Sequence, residues 1–332
     1  MRRFVFKYLF YFIPFLVLCG VAYYLETSAT GDLGRLGKIV CNGYRDNEEA
    51  LDSCRTIEMW DFEGIDTCEI LTIGSSFSQR GAEGYQQFLS QQLCRPVCNL
   101  NMSRHFGDNS QEFLASYLIS HDMLPCCKVL IIEDVERYAV ARLRYWPYET
   151  LKYKDAPAPR GRHSFDLYAV TSNLRLCMGI NQPVLQADLD GCYFQHRKHG
   201  DKLYFYYEDL DFGKLTEEDY SEALIQLARL HDLAAQKGIR MLYVVAADKY
   251  DAYSAHILHN WRPSNPTMQY FAQCDTSWCL DTKDLLARYI DKGIKDIYKL
   301  DDSHWSGVGA SIVAQKLAAM VENQLDTTFI GK

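Results

Sequence analysis

The sequence has no basic run beyond its first residues, and this absence limits the partners of the protein. The 332-residue chain carries a net charge of −8. Because phosphate binding needs clustered Lys and Arg, nucleic acid is not expected as a partner. The sequence also has no internal repeat and no low-complexity tract. These absences indicate an ordinary globular protein, long enough for one large domain or two modest ones.

Paired Cys-x-x-Cys motifs are absent as well, although the chain has 12 cysteines. Structural zinc sites commonly use such pairs, so no metal or other cofactor is expected. Two local pairs, Cys94 with Cys98 and Cys274 with Cys279, are candidate disulfides. Disulfides at these positions would fit an exported domain, because they persist in oxidising compartments.

A long apolar run is present only at the N-terminus. No charge occurs from Tyr8 to Leu25, and a helix over residues 4–25 is long enough to cross about 30 Å of hydrocarbon. Arg2 and Arg3 precede the run, which predicts a cytoplasmic N-terminus and a periplasmic or extracellular remainder. The sequence therefore predicts a single-pass membrane anchor over residues 1–25. The alternative is a signal peptide cleaved near Ser28-Ala29-Thr30.

Strand and helix patterns alternate through the rest of the chain. We interpret residues 26–65 as a stem and residues 66–328 as one α/β domain with an insertion at about 139–215. The alternation predicts a mostly parallel sheet covered by helices. Strands are predicted at 69–73, 97–102, 128–132, 241–246 and 296–299, and helices at 83–93, 111–120, 216–237, 281–292 and 308–325.

The first candidate site is the turn Gly74-Ser75-Ser76-Phe77-Ser78, which follows the first buried strand. In open α/β sheets, ligands bind outside the carboxyl ends of the strands. A serine on such a turn is exposed, and nearby backbone N–H groups can receive an oxyanion. The turn therefore suits a nucleophilic serine, although Gly-Ser turns are also common helix caps.

The second candidate site is Asp301-Asp302-Ser303-His304-Trp305, just before the final predicted helix. A general base requires an imidazole near the nucleophile and a carboxylate that fixes the imidazole tautomer. An Asp two or three residues before a His on one loop can meet that requirement. A solvated loop and a metal site are the alternatives for this segment alone.

A third charged segment, from Glu133 to Tyr138, follows the predicted strand at 128–132. Glu and Arg at the end of a strand can form a charge-assisted brace. Arg137 could instead neutralise a developing oxyanion. The residues favour the structural brace over the catalytic role.

Together these motifs resemble the SGNH/GDSL hydrolase superfamily, and within it the alginate O-acetyltransferase-like branch. That branch carries a Gly-Thr-Ser-Phe/Tyr-Ser turn and an Asp-x-His-Trp motif, matched here by residues 74–78 and 302–305. A strand ending in Glu-x-x-Glu-Arg is matched by residues 133–137. The loop at 247–251 is similar to the Pro-x-Lys-Tyr loop of the branch, with Ala247 in place of Pro.

The resemblance implies an SGNH-like three-layer α/β/α fold and a catalytic triad of Ser76, His304 and Asp302. Asp301 is the alternative carboxylate, because it stands at the spacing found in ordinary SGNH hydrolases. The remaining assignments concern the oxyanion and the substrate. The candidate oxyanion donors are the backbone N–H of Ser76 and Gly107, with Arg137 as a supporting residue. Trp305 and Lys249 are the candidates that line the substrate cleft. Trp305 would serve there as a sugar platform or as a wall of the pocket.

The resemblance also implies O-acetyl transfer to a cell-envelope or secreted polysaccharide. A multipass membrane acyltransferase would supply the acyl group, and the glycan would accept it from an acyl-serine. The same triad would serve an acetylesterase, with water as the acceptor. A glycan-binding or assembly subunit without activity is the third hypothesis, favoured if Ser76 and His304 lie too far apart to hydrogen-bond.

Overall fold

The computed structural model describes residues 2–25, 33, 55–78, 84–102, 106, 109–144, 184–210, 215–259 and 265–326. Strands in these ranges are β1 Thr56–Met59, β2 Ile70–Gly74, β3 Val97–Asn101, β4 Val129–Val135, β5 Val184–Asp188, β6 Lys202–Tyr206, β7 Arg240–Ala246 and β8 Cys279–Asp281. Helices are α1 Arg2–Leu25, α2 Tyr85–Leu93, α3 Gln111–Ser120, α4 Glu136–Arg144, α5 Glu217–Gln236, α6 Lys249–Ala252, α7 Thr267–Phe271, α8 Thr282–Asp291 and α9 Gly307–Asp326.

Six strands form one sheet in the order β1-β3-β2-β4-β7-β8, and every pairing in it is parallel. The central strand β4 is buried along its whole length. Its apolar run Val129–Ile132 has the character of a strand covered on both faces. The expected mostly parallel sheet is confirmed.

Helices cover both faces of this sheet. Because successive strand residues point to opposite faces, Ile131 packs in one core and Leu130 in the other. The first core includes side chains of α2, α8 and α9, such as Phe88. The second includes side chains of α3, α4 and α5, such as Leu227. The architecture is therefore the expected three-layer α/β/α sandwich.

Two boundaries differ from the sequence expectations. Strand β1 pairs with β3 from Thr56 onward, so the sheet begins inside the segment 26–65 that was assigned to a stem. This edge strand is only partly buried, which leaves a weak apolar pattern in the sequence. The strand expected at 296–299 is wrong, since Tyr298 forms only an isolated bridge with Trp305. Strand β8 provides the edge instead.

The disulfide pairing also differs from the expectation. Cys98 bonds to Cys68, and Cys94 is a free thiol. Parallel pairing explains this result, because β3 places Cys98 beside the start of β2, where Cys68 lies just before the strand. Cys274 and Cys279 are both free thiols, with a hydrogen bond between them that lowers the pKa of Cys274. The spacing of neighbouring cysteines in the sequence could not reveal a disulfide between residues 30 positions apart.

Helix α1 covers the N-terminal apolar run, and many of its large apolar side chains are exposed. In the part of the chain that the structure describes, none of the helices combines the length and apolar character needed to span a membrane. The anchor predicted over residues 4–25 is therefore unconfirmed. Most of the predicted stem and the segment 145–183 of the predicted insertion lie outside the described residues. The described part of the insertion includes the antiparallel pair β5–β6.

Candidate active site

Ser76 begins a 3-10 turn, Ser76–Ser78, directly after the carboxyl end of β2, and it is exposed to solvent. The turn passes very close to β4, because Gly74 stands opposite Glu133 in the sheet register. A β carbon at Gly74 would lie 1.9 Å from Ser78 Oγ and 2.6 Å from Glu133 Oε2. Only glycine at this position therefore allows the turn to sit against β4.

Glu133 holds the turn on both sides of Ser76. Its carboxylate accepts hydrogen bonds from Ser75 N–H at 2.9 Å, Ser75 Oγ at 2.7 Å and Ser78 Oγ at 2.8 Å. Burial raises the pKa of Glu133 to about 7, although the hydrogen bonds from Ser75 and Ser78 lower it. The serines that flank Ser76 thus face inward, and Ser76 is left facing outward.

His304 lies on a short loop that is closed at its base by backbone hydrogen bonds. Lys299 N–H donates to His304 O at 3.1 Å, and Ser306 N–H donates to Ile297 O at 3.1 Å. Ser306 Oγ then accepts from Val308 N–H at 3.0 Å in the first turn of α9. The loop is therefore fixed between the sheet and a twenty-residue helix.

The structure brings Ser76, His304 and Asp302 into one hydrogen-bonded chain. His304 Nε2 lies 2.6 Å from Ser76 Oγ, and His304 Nδ1 lies 2.6 Å from Asp302 Oδ1. The His304 and Asp302 side chains are almost fully buried, whereas Ser76 is exposed. A nucleophile, a base and a carboxylate that orients the base require this order of contacts.

Asp302 and Asp301 occupy different positions relative to the imidazole. Asp302 Oδ1 accepts from the backbone N–H of His304 at 2.9 Å as well as facing Nδ1 of its ring. The backbone carbonyl of Asp301 accepts from Leu33 N–H at 3.3 Å. The observed contact with Nδ1 therefore favours Asp302 as the orienting carboxylate.

Trp305 and Lys249 do not line an open cleft, contrary to expectation. Trp305 is 2 % exposed and packs its ring against Phe77 and Tyr85, with centroids 4.8 and 6.1 Å apart. Of the two alternatives for Trp305, the structure thus favours a wall beneath the site. Lys249 is fully buried, and its Nζ points to backbone carbonyls of the loop that carries His304.

Arg137 forms a brace, the alternative that its sequence context favoured. Its guanidinium contacts Asp248, at the end of β7, and Asp209 at 3.2 Å. Both carboxylates are fully buried, and the contact joins the start of α4 to the β7–α6 connection. Gly107, the second oxyanion candidate, lies outside the described residues.

Sequence reasoning placed Glu133 in a motif but did not identify it as part of the site. A signal for this role was present in the sequence, because Glu133 is an acidic residue directly after an apolar run, and in the sheet it pairs with Gly74, which ends the neighbouring strand. Reading that signal requires the β2–β4 pairing and its register, which a single sequence does not contain.

Comparison with protein families finds a match over part of the chain. Residues 201–330 match the family described as the SGNH hydrolase-like domain of acetyltransferase AlgX. The resemblance to the alginate O-acetyltransferase-like branch is thereby confirmed. The match covers less than half of the chain and includes Asp302 and His304 but not Ser76. Among curated proteins, none matches the chain.

Proposed function

We propose that the protein is an O-acyltransferase that acetylates a polysaccharide through an acyl-enzyme at Ser76. The observation that carries this proposal is the hydrogen-bonded chain from exposed Ser76 through His304 to buried Asp302. The family match over residues 201–330 supports an acetyltransferase-like function on a polysaccharide. A long separation of Ser76 and His304 would favour the alternative of an inactive subunit, whereas Ser76 Oγ and His304 Nε2 lie 2.6 Å apart, which supports the enzyme proposal.

In the first half of the reaction, Ser76 Oγ attacks the carbonyl carbon of an acyl donor while His304 Nε2 takes the hydroxyl proton. His304 returns this proton to the leaving group of the donor as the acyl-serine forms. Asp302 holds the ring so that Nε2 faces Ser76. The Ser76 backbone N–H, which has no acceptor among the described residues, is available to the oxyanion.

In the second half, a sugar hydroxyl takes the place of the leaving group. His304 removes its proton, the oxygen attacks the acyl carbon, and the collapse of the intermediate returns the proton to Ser76 Oγ. The product is an O-acetyl sugar and free enzyme. Water in place of the sugar would give an esterase, so the two activities differ only in the acceptor.

Mass spectrometry after exposure to p-nitrophenyl acetate tests the acyl-enzyme. We expect one added acetyl group, located on Ser76, because Ser76 is exposed and lies next to the base. The Ser76→Ala variant should gain no acetyl group. Ser277→Ala is the matched control, since Ser277 is exposed before β8, at the opposite end of the sheet. A wild-type Ser76 that gains no acetyl group would contradict the proposal. To separate a transferase from an esterase, the rate of acetyl transfer to an oligosaccharide is compared with the rate of acetyl ester hydrolysis.

We further propose that the domain is exported, that helix α1 associates with the membrane, and that a multipass membrane acyltransferase supplies the acyl group. Arg2 and Arg3 begin α1, ahead of its apolar run, and exposed apolar side chains such as Phe10 and Leu18 offer a surface to lipid. The Cys68–Cys98 disulfide suits an oxidising compartment. Together these features would hold Ser76 near the exit of the acyl supplier.

Extraction of cell membranes with alkaline carbonate tests this placement. We expect the full chain to stay with the membrane and to be digested by protease added to spheroplasts, in which the periplasmic face is accessible. A chain that lacks residues 2–25 should lose the membrane association. Release of the full chain by carbonate, or its protection from the protease in intact spheroplasts, would contradict the proposal.

A further inference from the structure

Lys249 is a fully buried cation beside the loop that carries Asp302 and His304. Its Nζ lies 2.6 Å from the carbonyl oxygen of Lys299, 2.9 Å from that of Leu300 and 3.2 Å from that of Asp302. An ammonium group has three N–H donors, and three carbonyls of one short loop meet it here. Lys249 opens α6, directly after the carboxyl end of β7.

These contacts restrain the loop at residues before and after Asp301. The carbonyls of Lys299 and Leu300 precede the acidic residues, and the carbonyl of Asp302 lies two residues before the imidazole. The ring of Phe194 faces the ammonium from another side, 5.1 Å from Nζ to the ring centroid. Any rotation of the peptide after Asp302 would therefore break a contact with a buried charge, which is costly in a dry environment.

The ammonium also brings a positive charge close to the Asp302–His304 pair. In a buried site, two charges several ångströms apart interact far more strongly than they do in water. A nearby cation favours the ionised form of Asp302. It also disfavours a second proton on the His304 ring, in addition to the proton on Nδ1 that faces Asp302. Both effects favour the protonation state in which Nε2 can accept the proton of Ser76.

We propose that Lys249 is a positioning residue for the acyl-transfer site, which fixes the Asp302–His304 loop and supplies the positive charge that keeps His304 in its proton-accepting form. The proposal rests on the proposed function, since it assigns a role within the same site. Lys249 acts through its contacts with the backbone of the loop.

Other charged groups surround the two partners, and a test must keep them constant. Asp251, on the same helix as Lys249, pairs with Lys283 at 3.3 Å. Asp248, just before Lys249, pairs with Arg137. Asp301 flanks Asp302 on the loop. The pairs Asp251–Lys283 and Asp248–Arg137 do not include Lys249, so a substitution at Lys249 alone changes one charge in this group.

The test is a ¹⁵N-histidine NMR titration of the full chain, with the His304 signal assigned by its loss in His304→Gln. In Lys249→Met, which retains length and loses charge, we expect the titration midpoint of His304 to rise by about one pH unit. In Lys249→Arg, which retains the charge, the midpoint should stay within about 0.3 pH unit of the wild type. An unchanged midpoint in Lys249→Met overturns the proposal, and so does a rise of one unit in Lys249→Arg, even if Lys249→Met does not fold.

Kinetics of p-nitrophenyl acetate hydrolysis provide the second readout. We expect Lys249→Met to lower kcat roughly 10- to 100-fold, with its acidic limb at higher pH and KM little changed. If the wild type shows no Ser76-dependent hydrolysis, the proposed function is refuted, while the NMR test of Lys249 still stands. A wild type that is active, with Lys249→Met equal to it in kcat and in pH profile, would refute only the role of Lys249.

Discussion

Asp302→Asn should lower kcat/KM for p-nitrophenyl acetate by roughly 10⁴-fold, the scale of losses when a triad carboxylate becomes an amide. Asn has nearly the shape of Asp, but a single atom, Oδ1, meets both the backbone N–H and Nδ1 of His304. If the amide NH₂ takes that place, it faces Nδ1, holds the wrong tautomer and gives up the backbone contact. In either orientation the amide has no charge to stabilise the imidazolium. Stopped-flow and steady-state rates with folded protein would measure the loss, which should fall on kcat.

Asp301→Asn is the matched control, because the two aspartates are adjacent and both are buried. We expect it to retain activity within about threefold of the wild type, since Asp302 is the residue that faces Nδ1. If Asp301→Asn were the damaging change and Asp302→Asn were mild, the carboxylate assignment would be reversed. Equal and small effects of both would show that neither carboxylate orients His304.

Glu133→Gln should remove a pH dependence of stability that the wild type shows. The pKa of Glu133 rises from 4.5 to about 7 on folding because the carboxyl is buried. Below pH 4.5 the carboxyl is protonated in both the folded and unfolded states, so burial of its charge costs nothing. As the pH rises toward 7 and beyond, the folded state must ionise a buried group. The wild type should thus lose about 2 to 3 kcal/mol of unfolding free energy, relative to Glu133→Gln, between pH 5 and 8.

The Gln side chain can keep the turn in place. Its oxygen can occupy the position of Oε2 and accept from Ser75 N–H and Ser78 Oγ, while its NH₂ donates to Ser75 Oγ. Glu133→Ala cannot do this and removes the carboxyl acceptor of three buried hydrogen bonds; Ser75 N–H and Ser78 Oγ keep only contacts of 3.3 Å, to Glu133 O and Tyr85 OH. Relative to Glu133→Gln, this loss should cost roughly 3 to 5 kcal/mol at every pH. Urea unfolding at several pH values would measure both effects.

Glu69→Gln is a suitable control for this series, because Glu69 is half exposed and pairs with Lys128 at the surface. Exposed pairs contribute little to stability, so its unfolding curves should follow the wild type at each pH. Parallel pH profiles for the wild type and Glu133→Gln would show that Glu133 does not carry a buried charge. In that case the pH dependence would have to come from other buried acids, such as Glu112, whose pKa burial raises to about 8.

The sequence contained enough information to predict the principal strands and helices, because their apolar patterns are long and continuous. Helix α3 was predicted at the residues where it occurs, and α5 to within one residue at each end. Strands β1 and β8 were missed, since they have only four and three residues, too few to form a clear apolar pattern. The strand expected at 296–299 failed because its apolar residues belong to a loop that packs into the core.

For the site, motifs were more informative than local structure. The motif around Ser76 and the motif around His304 were both identified, and the structure places their side chains within hydrogen-bonding distance. The roles of Glu133 and Lys249 in holding these motifs could not be predicted. Each acts through a contact between segments distant in the chain, 58 residues apart for Glu133 and Ser75 and about 50 for Lys249 and its loop. Such contacts depend on strand order, which no local pattern specifies.

Ser76 and His304 are separated by 228 residues, so the proposed site can form only after His304 has been made. A nascent chain contains its serine long before it contains the imidazole. The two side chains then meet only once helix α9 has packed on α2, a non-local step that costs loop-closure entropy. Under the proposed mechanism, a chain translated short of His304 would carry a serine without its base, and unproductive acylation would be avoided until the sandwich has formed.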